Sequence, residues 1–155
     1  MKLISHRGNL SGPSPENENK IPYVQRAIDR GYDVEIDVRL IDNNLYLGHD
    51  SPDYLVDLSW LLDRKEHLLV HAKNFQAMSF LIKYDLRIFY HQVEKHTVIG
   101  NTKNLWSCDI GEATEKSIIP LISLEEVEKY KNLVGNFYGV CSDYVGDFNT
   151  IGETL

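Results

Sequence analysis

The chain has 155 residues, a length that suits one domain over 1–155, and 43% of them are apolar, enough for a packed core. Charged residues make up 25% and the net charge is -7, so the long-range field disfavours nucleic acid and anionic membranes, while a local cation or metal still permits an anionic small-molecule substrate. No apolar run is long enough for a signal peptide or a membrane span, and Cys108 and Cys141 form no C-x-x-C pair, so the expectation is a cytoplasmic protein without membrane insertion, its two cysteines ordinary buried thiols.

In chain order, the short apolar run 3–5 reads as a first strand. A loop rich in Gly, Ser, Pro and Asn covers 8–19. Pro22 opens a helix whose Tyr23, Val24, Ala27 and Ile28 share one face, and Gly31 stops it. Residues 33–40 alternate and are β-branched, a second strand; Asn43-Asn44 is a turn, and 45–47 returns as an extended arm. Asp57 is placed to cap a short helix carrying Leu58, Leu61 and Leu62. A third strand covers 67–72, and Asn74 caps a helix with Phe75, Met78, Leu81 and Ile82 on one side. A fourth strand covers 87–90. Beyond it, 97–99, 105–107 and 118–121 are strands, with no room for a full helix between the first two. Ser123-x-x-Glu126 is a capping box whose helix carries Leu124, Val127 and Tyr130 inward, and 137–141 is the last strand.

This alternation predicts an α/β fold with a largely parallel sheet. The strands number about eight, and a regular eight-fold barrel takes about 250 residues. A barrel of this length must therefore have several outer helices missing or reduced to turns.

Four local groups carry chemistry: Ser5-His6-Arg7-Gly8 after the first strand, Glu35-Ile36-Asp37, Gly48-His49-Asp50, and His71-Ala72-Lys73-Asn74 at the end of the third strand. Side chains alternate across a strand, so Glu35 and Asp37 share a face, about 7 Å apart at roughly 3.3 Å per residue. In a closed interior such a pair needs a cation between its members, and oxygen ligands suit a hard divalent ion, Mg²⁺ or Ca²⁺. A lone E-x-D or a lone histidine more often belongs to a solvated or structural surface. The weight here comes from all four groups falling at strand ends, where parallel α/β folds build their sites. By the same parity His71 and Lys73 share a face; Lys73 offers a point charge to phosphate and Arg7 a bidentate fork. The later groups Phe89-Tyr90-His91-Gln92, Trp106 and Asp143-Tyr144 read as strand-end packing, with His91 within reach of the barrel centre.

His6-Arg7-Gly8, Pro15-Glu16-Asn17, the helix ending at Gly31, Glu35-Ile36-Asp37-Val38, and 42–47 leading into His49-Asp50 resemble, in order and spacing, the signature of the glycerophosphodiester phosphodiesterase-like family. The resemblance covers 4–50 closely and extends weakly to His71-Ala72-Lys73 and to Cys141-Ser142-Asp143-Tyr144; residues 85–135 match poorly. It implies a reduced TIM-barrel-like fold and a phosphoric diester hydrolase acting on a small glycerol-based phosphodiester. It further implies that His6 and His49 act as general acid and base, that Glu35 and Asp37 bind the metal, that Arg7 and Lys73 contact phosphate, and that Glu16 belongs to the site. Where the family carries a third carboxylate, this chain has His71. Imidazole suits Mn²⁺ or Zn²⁺ better than Mg²⁺ or Ca²⁺. That substitution and the short second half also fit a phosphate- or sugar-phosphate-binding relative without turnover. A phospholipase-type phosphodiesterase shares the two-histidine logic but would want a membrane-binding segment, which the chain lacks.

Overall fold

A computed structural model describes residues 1–148. The strands are β1 (Lys2–His6), β2 (Asp33–Ile41), β3 (Asn44–Leu47), β4 (Tyr54–Val56), β5 (Leu68–Ala72), β6 (Arg87–Phe89), β7 (His96–Val98), β8 (Leu105–Ser107), β9 (Ser117–Pro120) and β10 (Gly139–Ser142). The helices are α1 (Ile21–Asp29), α2 (Leu58–Asp63), α3 (Phe75–Leu81) and α4 (Leu124–Tyr130), with 3₁₀ turns at Val134–Asn136 and Val145–Phe148. No helix among the described residues is long and apolar enough to cross a membrane.

The sheet runs β6-β5-β2-β1-β10-β9-β8-β7. Every neighbouring pair on this path is parallel except β7 and β8, which are antiparallel. Beyond β7 the chain bridges back to β6: Gly100 faces Ile88, and its N–H donates to the Ile88 carbonyl at 2.7 Å. The two edges thus meet, and the fold is a reduced α/β barrel. β3 and β4 lie outside the ring as an antiparallel extension of the C-terminal half of β2.

The shortage of residues is met at β7. In a regular barrel a helix returns the chain from the top of one strand to the bottom of the next. Here an extended segment makes the return and takes a place in the sheet, so no helix is needed between β6 and β8. No helix among the described residues covers its outer face, and Val98 is 66% exposed.

Paired residues in parallel strands point to the same face, and this parity holds round the ring. Ile4, Leu69, Phe89, Ile99, Trp106, Ile118 and Cys141 form one inner cluster. β2 contributes nothing apolar to it, because its inward positions carry Asp33, Glu35 and Asp37. Outside the ring, Val34, Ile36, Val38, Val70, Ala72 and Ile88 pack under α1, α2 and α3. Ile119, Val140 and Phe148 pack with Val127 of α4.

Several local expectations shift. Asn74 caps α3, accepting from the Ala77 N–H at 3.0 Å, and the Ser123–Glu126 capping box forms, but Asp57 precedes α2 without a side-chain cap bond. α3 buries Ala77 and Leu81, whereas Phe75 and Ile82 are exposed; the small Ala77 lets the helix approach the sheet on that side. In α4 Val127 is buried and Leu124 is 49% exposed, so the first turn is not part of the inward face. The last strand is Gly139–Ser142 rather than 137–141, and Cys108 is exposed rather than buried.

The N-terminal end of the barrel is closed by charge. Asp33 is buried, with Arg87 Nη1 at 2.9 Å, Lys2 Nζ at 3.4 Å and His67 Nδ1 at 3.6 Å. Arg87 also donates to the carbonyls of Leu68 and Glu66. Arg87→Met removes the shortest partner of a buried carboxylate, and the remaining cations are longer and partly solvated. The expected loss is about 2 kcal/mol in urea unfolding, below the ~3–5 kcal/mol of a fully buried pair because Arg87 and Lys2 are partly solvated. An unchanged midpoint would show that the pair does not seal the barrel.

Candidate active site

The site begins with β2. Glu35 and Asp37 are 2% and 0% exposed, both on the inward face. Register places His6 beside Glu35 and His71 beside Asp37. His71 Nδ1 lies 3.6 Å from Glu35 and 3.3 Å from Asp37, and Lys73 Nζ lies 3.7 Å from Asp37. These are ion-pair distances rather than completed hydrogen bonds: Glu35 Oε2, Asp37 Oδ1 and His71 Nε2 are buried without a hydrogen-bond partner among the described residues. Ligand atoms of Glu35, Asp37 and His71 lie within 4.8 Å of one another. Three convergent donor groups with unsatisfied buried atoms fit a divalent cation.

The turn after β1 supplies the second part. Arg7 takes a left-handed backbone conformation (φ 54) and Gly8 follows at φ 94. A Cβ on Gly8 would stand 2.5 Å from the Tyr23 ring, so only glycine fits. The turn aims Arg7 back at β2, with Nε 3.0 Å from Asp37 and Nη1 donating to Glu18 at 3.2 Å. Asn19 clamps Asp37 from the other side. Its Nδ2 donates to Asp37 Oδ2 at 2.9 Å, and its Oδ1 accepts from the Asp37 N–H at 3.0 Å. Burial pulls the Asp37 carboxyl up, but His71 and Arg7 outweigh it and hold the group well below the usual carboxylate range.

His6 is oriented from the far end of the chain. Its Nδ1 is 2.7 Å from Asp143 Oδ1, which also accepts from Asn9 Nδ2 at 2.7 Å, leaving Nε2 on the Glu35 side at 3.9 Å. Burial lowers the His6 pKa, but the bond to Asp143 and the charge of Glu35 more than offset it, so the net shift is upward. His71 also shifts upward: burial opposes, Asp37 and Glu35 prevail.

Of the residues singled out in the sequence, His6, Arg7, Glu35, His49, His71 and Lys73 line one cleft of about 470 Å³ at the C-terminal ends of the barrel strands. Asp37 is buried behind them in the contacts given above. His49 sits at the rim, 39% exposed, with Nδ1 2.7 Å from Asp50. Its carbonyl accepts from Arg39. Gly48 before it is at φ 147, and a Cβ there would meet the Ser51 carbonyl at 2.1 Å, so the approach to His49 requires glycine.

Glu16 is not among these residues. It is exposed and bonded to Ser14 and Asn17, and Glu18 is the carboxylate that reaches Arg7 and Asn9. The segment reads Glu16-Asn17-Glu18-Asn19, offering the Glu-Asn pair twice, and the fold uses the second copy. Asp143, read in the sequence as strand-end packing, is the orienting partner of His6. His91 does reach the cleft, its ring parallel to His71 at 4.8 Å.

Asp143→Asn should lower the His6 pKa, because the neutral amide no longer favours the imidazolium. A raised histidine contributes stability fully below its unfolded value of 6.5 and loses it as pH rises through the folded value. The variant should therefore be destabilised more at pH 5 than at pH 9. Proton NMR titration of His6 together with urea melts at both pH values checks this; an unmoved pKa would show that Asp143 does not orient the ring.

No family model matches the chain, and no curated protein matches it. Among solved structures, it is similar to the crystal structure of a glycerophosphodiester phosphodiesterase from Thermotoga maritima, with 15% sequence identity and a TM-score of 0.57 over 97% of this chain and 98% of that one. At that identity the likeness speaks for the backbone: this chain has the barrel fold of that glycerophosphodiester phosphodiesterase, as its first fifty residues lead one to expect.

Proposed function

We propose that the protein is a phosphoric diester hydrolase that uses a divalent metal ion on a small, glycerophosphodiester-like substrate. The observation that carries this reading is the joining of Glu35, Arg7, Lys73 and the histidines His6, His49 and His71 at one cleft, with Asp37 buried behind them against Arg7 and Lys73. The fold likeness to a glycerophosphodiester phosphodiesterase adds to it.

Glu35, Asp37 and His71 would hold the ion, which when bound supplies Lewis-acid charge to the phosphoryl oxygens. Arg7 and Lys73 add fixed positive charge beside it, aimed at the oxygens on which charge develops. His6 and His49 form the acid–base pair. One accepts the proton of the attacking hydroxyl, from water or from the substrate, and the other protonates the leaving alkoxide. Asp143 holds the Nδ1 edge of His6, so that Nε2 is the atom offered to the cleft. His49 lies on the segment after β3 and lines the same cleft, its Nδ1 held by Asp50. The cleft, about 470 Å³, has room for a small soluble ester, and a cytoplasmic location is part of the proposal.

A panel of bis-p-nitrophenyl phosphate and glycerophosphodiesters, run with Mg²⁺, Ca²⁺, Mn²⁺ and Zn²⁺, tests the reaction. His6→Ala and His49→Ala should each lower kcat by about 10² to 10⁴ with the fold intact by circular dichroism. Turnover at the parent rate in both variants would remove the acid–base assignment. A parent without turnover on any ester and metal would leave a phosphate-binding protein instead.

The metal itself is tested at His71. The imidazole makes the donor set one charge less negative than three carboxylates, and softer. His71→Glu should tighten Mg²⁺ and Ca²⁺ binding by calorimetry. Equal affinities for parent and variant would place His71 outside the metal site, with a hydrogen bond to substrate as its remaining role.

A further inference from the structure

A histidine that ligates a metal is usually oriented by a hydrogen bond at its second ring nitrogen. His71 lacks that bond among the described residues. Its Nδ1 is on the carboxylate side, 3.3 Å from Asp37 and 3.6 Å from Glu35, while its Nε2 is buried without a hydrogen-bond partner. The torsion that turns an imidazole about its Cβ–Cγ bond is intrinsically broad. The plane of this ring is therefore set by packing.

The packing comes from the next strand. Phe89 of β6 pairs with His71 of β5, and the two rings stack at 4.6 Å between centroids with 12° between their planes. His91, two residues on, stacks on the same imidazole at 4.8 Å and 4°. Phe89 and His91 are themselves 5.8 Å apart, at 12°. Rings on opposite faces of the imidazole would stand about 7 Å apart, two contact distances of roughly 3.5 Å. At the shorter separation they lie side by side under one face, as a shelf of two nearly parallel rings. Phe89 is fully buried and stacks in turn on Trp106 at 4.6 Å, which anchors the shelf in the apolar layer of the barrel.

We propose, resting on the metal reading above, that Phe89 and His91 are positioning residues: they hold the His71 ring flat, so that its nitrogen stays aimed at the space between Glu35 and Asp37, and thereby strengthen binding of ions that accept imidazole. His91 acts here through the face of its ring and not through a nitrogen. The shelf stands in for the missing hydrogen bond at His71 Nε2. It serves an imidazole alone, because a carboxylate at position 71 would present no ring for it to support.

Calorimetric titration with Zn²⁺ and with Mg²⁺ tests this on parent, His91→Ala and His91→Phe. His91→Ala should weaken Zn²⁺ binding about tenfold, the lower end for loss of a group that orients a ligand. Mg²⁺, which favours the carboxylate oxygens, should weaken by about threefold or less. His91→Phe restores a ring without the nitrogens and should stay within about threefold of the parent for Zn²⁺. In a His71→Glu background, His91→Ala should change either affinity by less than about twofold, since the coupling runs through the imidazole. His91→Leu fills the space without a flat ring and carries the test if His91→Ala does not fold by circular dichroism. Zn²⁺ affinity unchanged without the ring, equal losses for the two ions, the same loss in the His71→Glu background, or His91→Phe as weak as His91→Ala would each overturn the shelf while leaving the metal in place. If the parent binds neither ion, the metal reading falls and the shelf falls with it.

Discussion

Two carboxylates on one strand face, enclosed by a barrel, are the constraint from which the site grows. Glu35 and Asp37 stand about 7 Å apart along β2, from the rise of an extended strand, and neither reaches solvent. Burying a charge without compensation is far more costly than a typical folded domain can tolerate. Both neighbours of β2 in the ring therefore send cations or donors toward them. β1 delivers His6 and, through a left-handed turn, Arg7; β5 delivers His71 and Lys73; the loop before α1 delivers Asn19. Even so, one oxygen of each carboxylate has no hydrogen-bond partner among the described residues. Those unpartnered oxygens are the donor atoms that the proposed divalent ion would use.

The rest of the barrel interior separates this charged end from another. Asp33, Arg87 and Lys2 close the bottom, and Glu35, Asp37 and His71 open the top. Between them lies an apolar layer with Ile4, Leu69, Phe89, Trp106 and Cys141. Layering of inward side chains is the usual filling of such barrels. Here it also isolates the site from the opposite end, so that charge at the top is compensated at the top. The antiparallel β7 lets the ring close with little chain, and its cost is an outer face without a helix over Val98.

Much of the first half was legible because its signals are local. The E-x-D pair follows from the period of a strand, and so does the shared face of His71 and Lys73. Gly8 and Gly48 mark turns that admit no side chain, and both precede or accompany a functional group. Other choices were not legible. Glu16 and Glu18 sit in the same repeated dipeptide context, and only the path of the loop decides that Glu18 faces Arg7. Asp143 meets His6 because β10 pairs with β1, a contact between opposite ends of the chain. The second half offers short apolar runs whose direction in the sheet no periodicity reports, and β7 was therefore counted as one more strand with no sign that it runs backward.

The sequence by itself determined the alternation of elements, the face on which each strand carries its acids and histidines, and the shortage of residues that rules out a full set of helices. Those properties depend on steric periods and chain length, which each segment possesses alone. The tertiary structure decided which strand end meets which, that the returning segment joins the sheet as β7, that Glu18 rather than Glu16 braces Arg7, and that His91 stacks on His71 while Trp106 lines the same cleft. Such matters depend on closure of the ring, and closure is a relation between segments far apart in the chain, set by the summed hydrogen bonds and buried surface of the whole barrel.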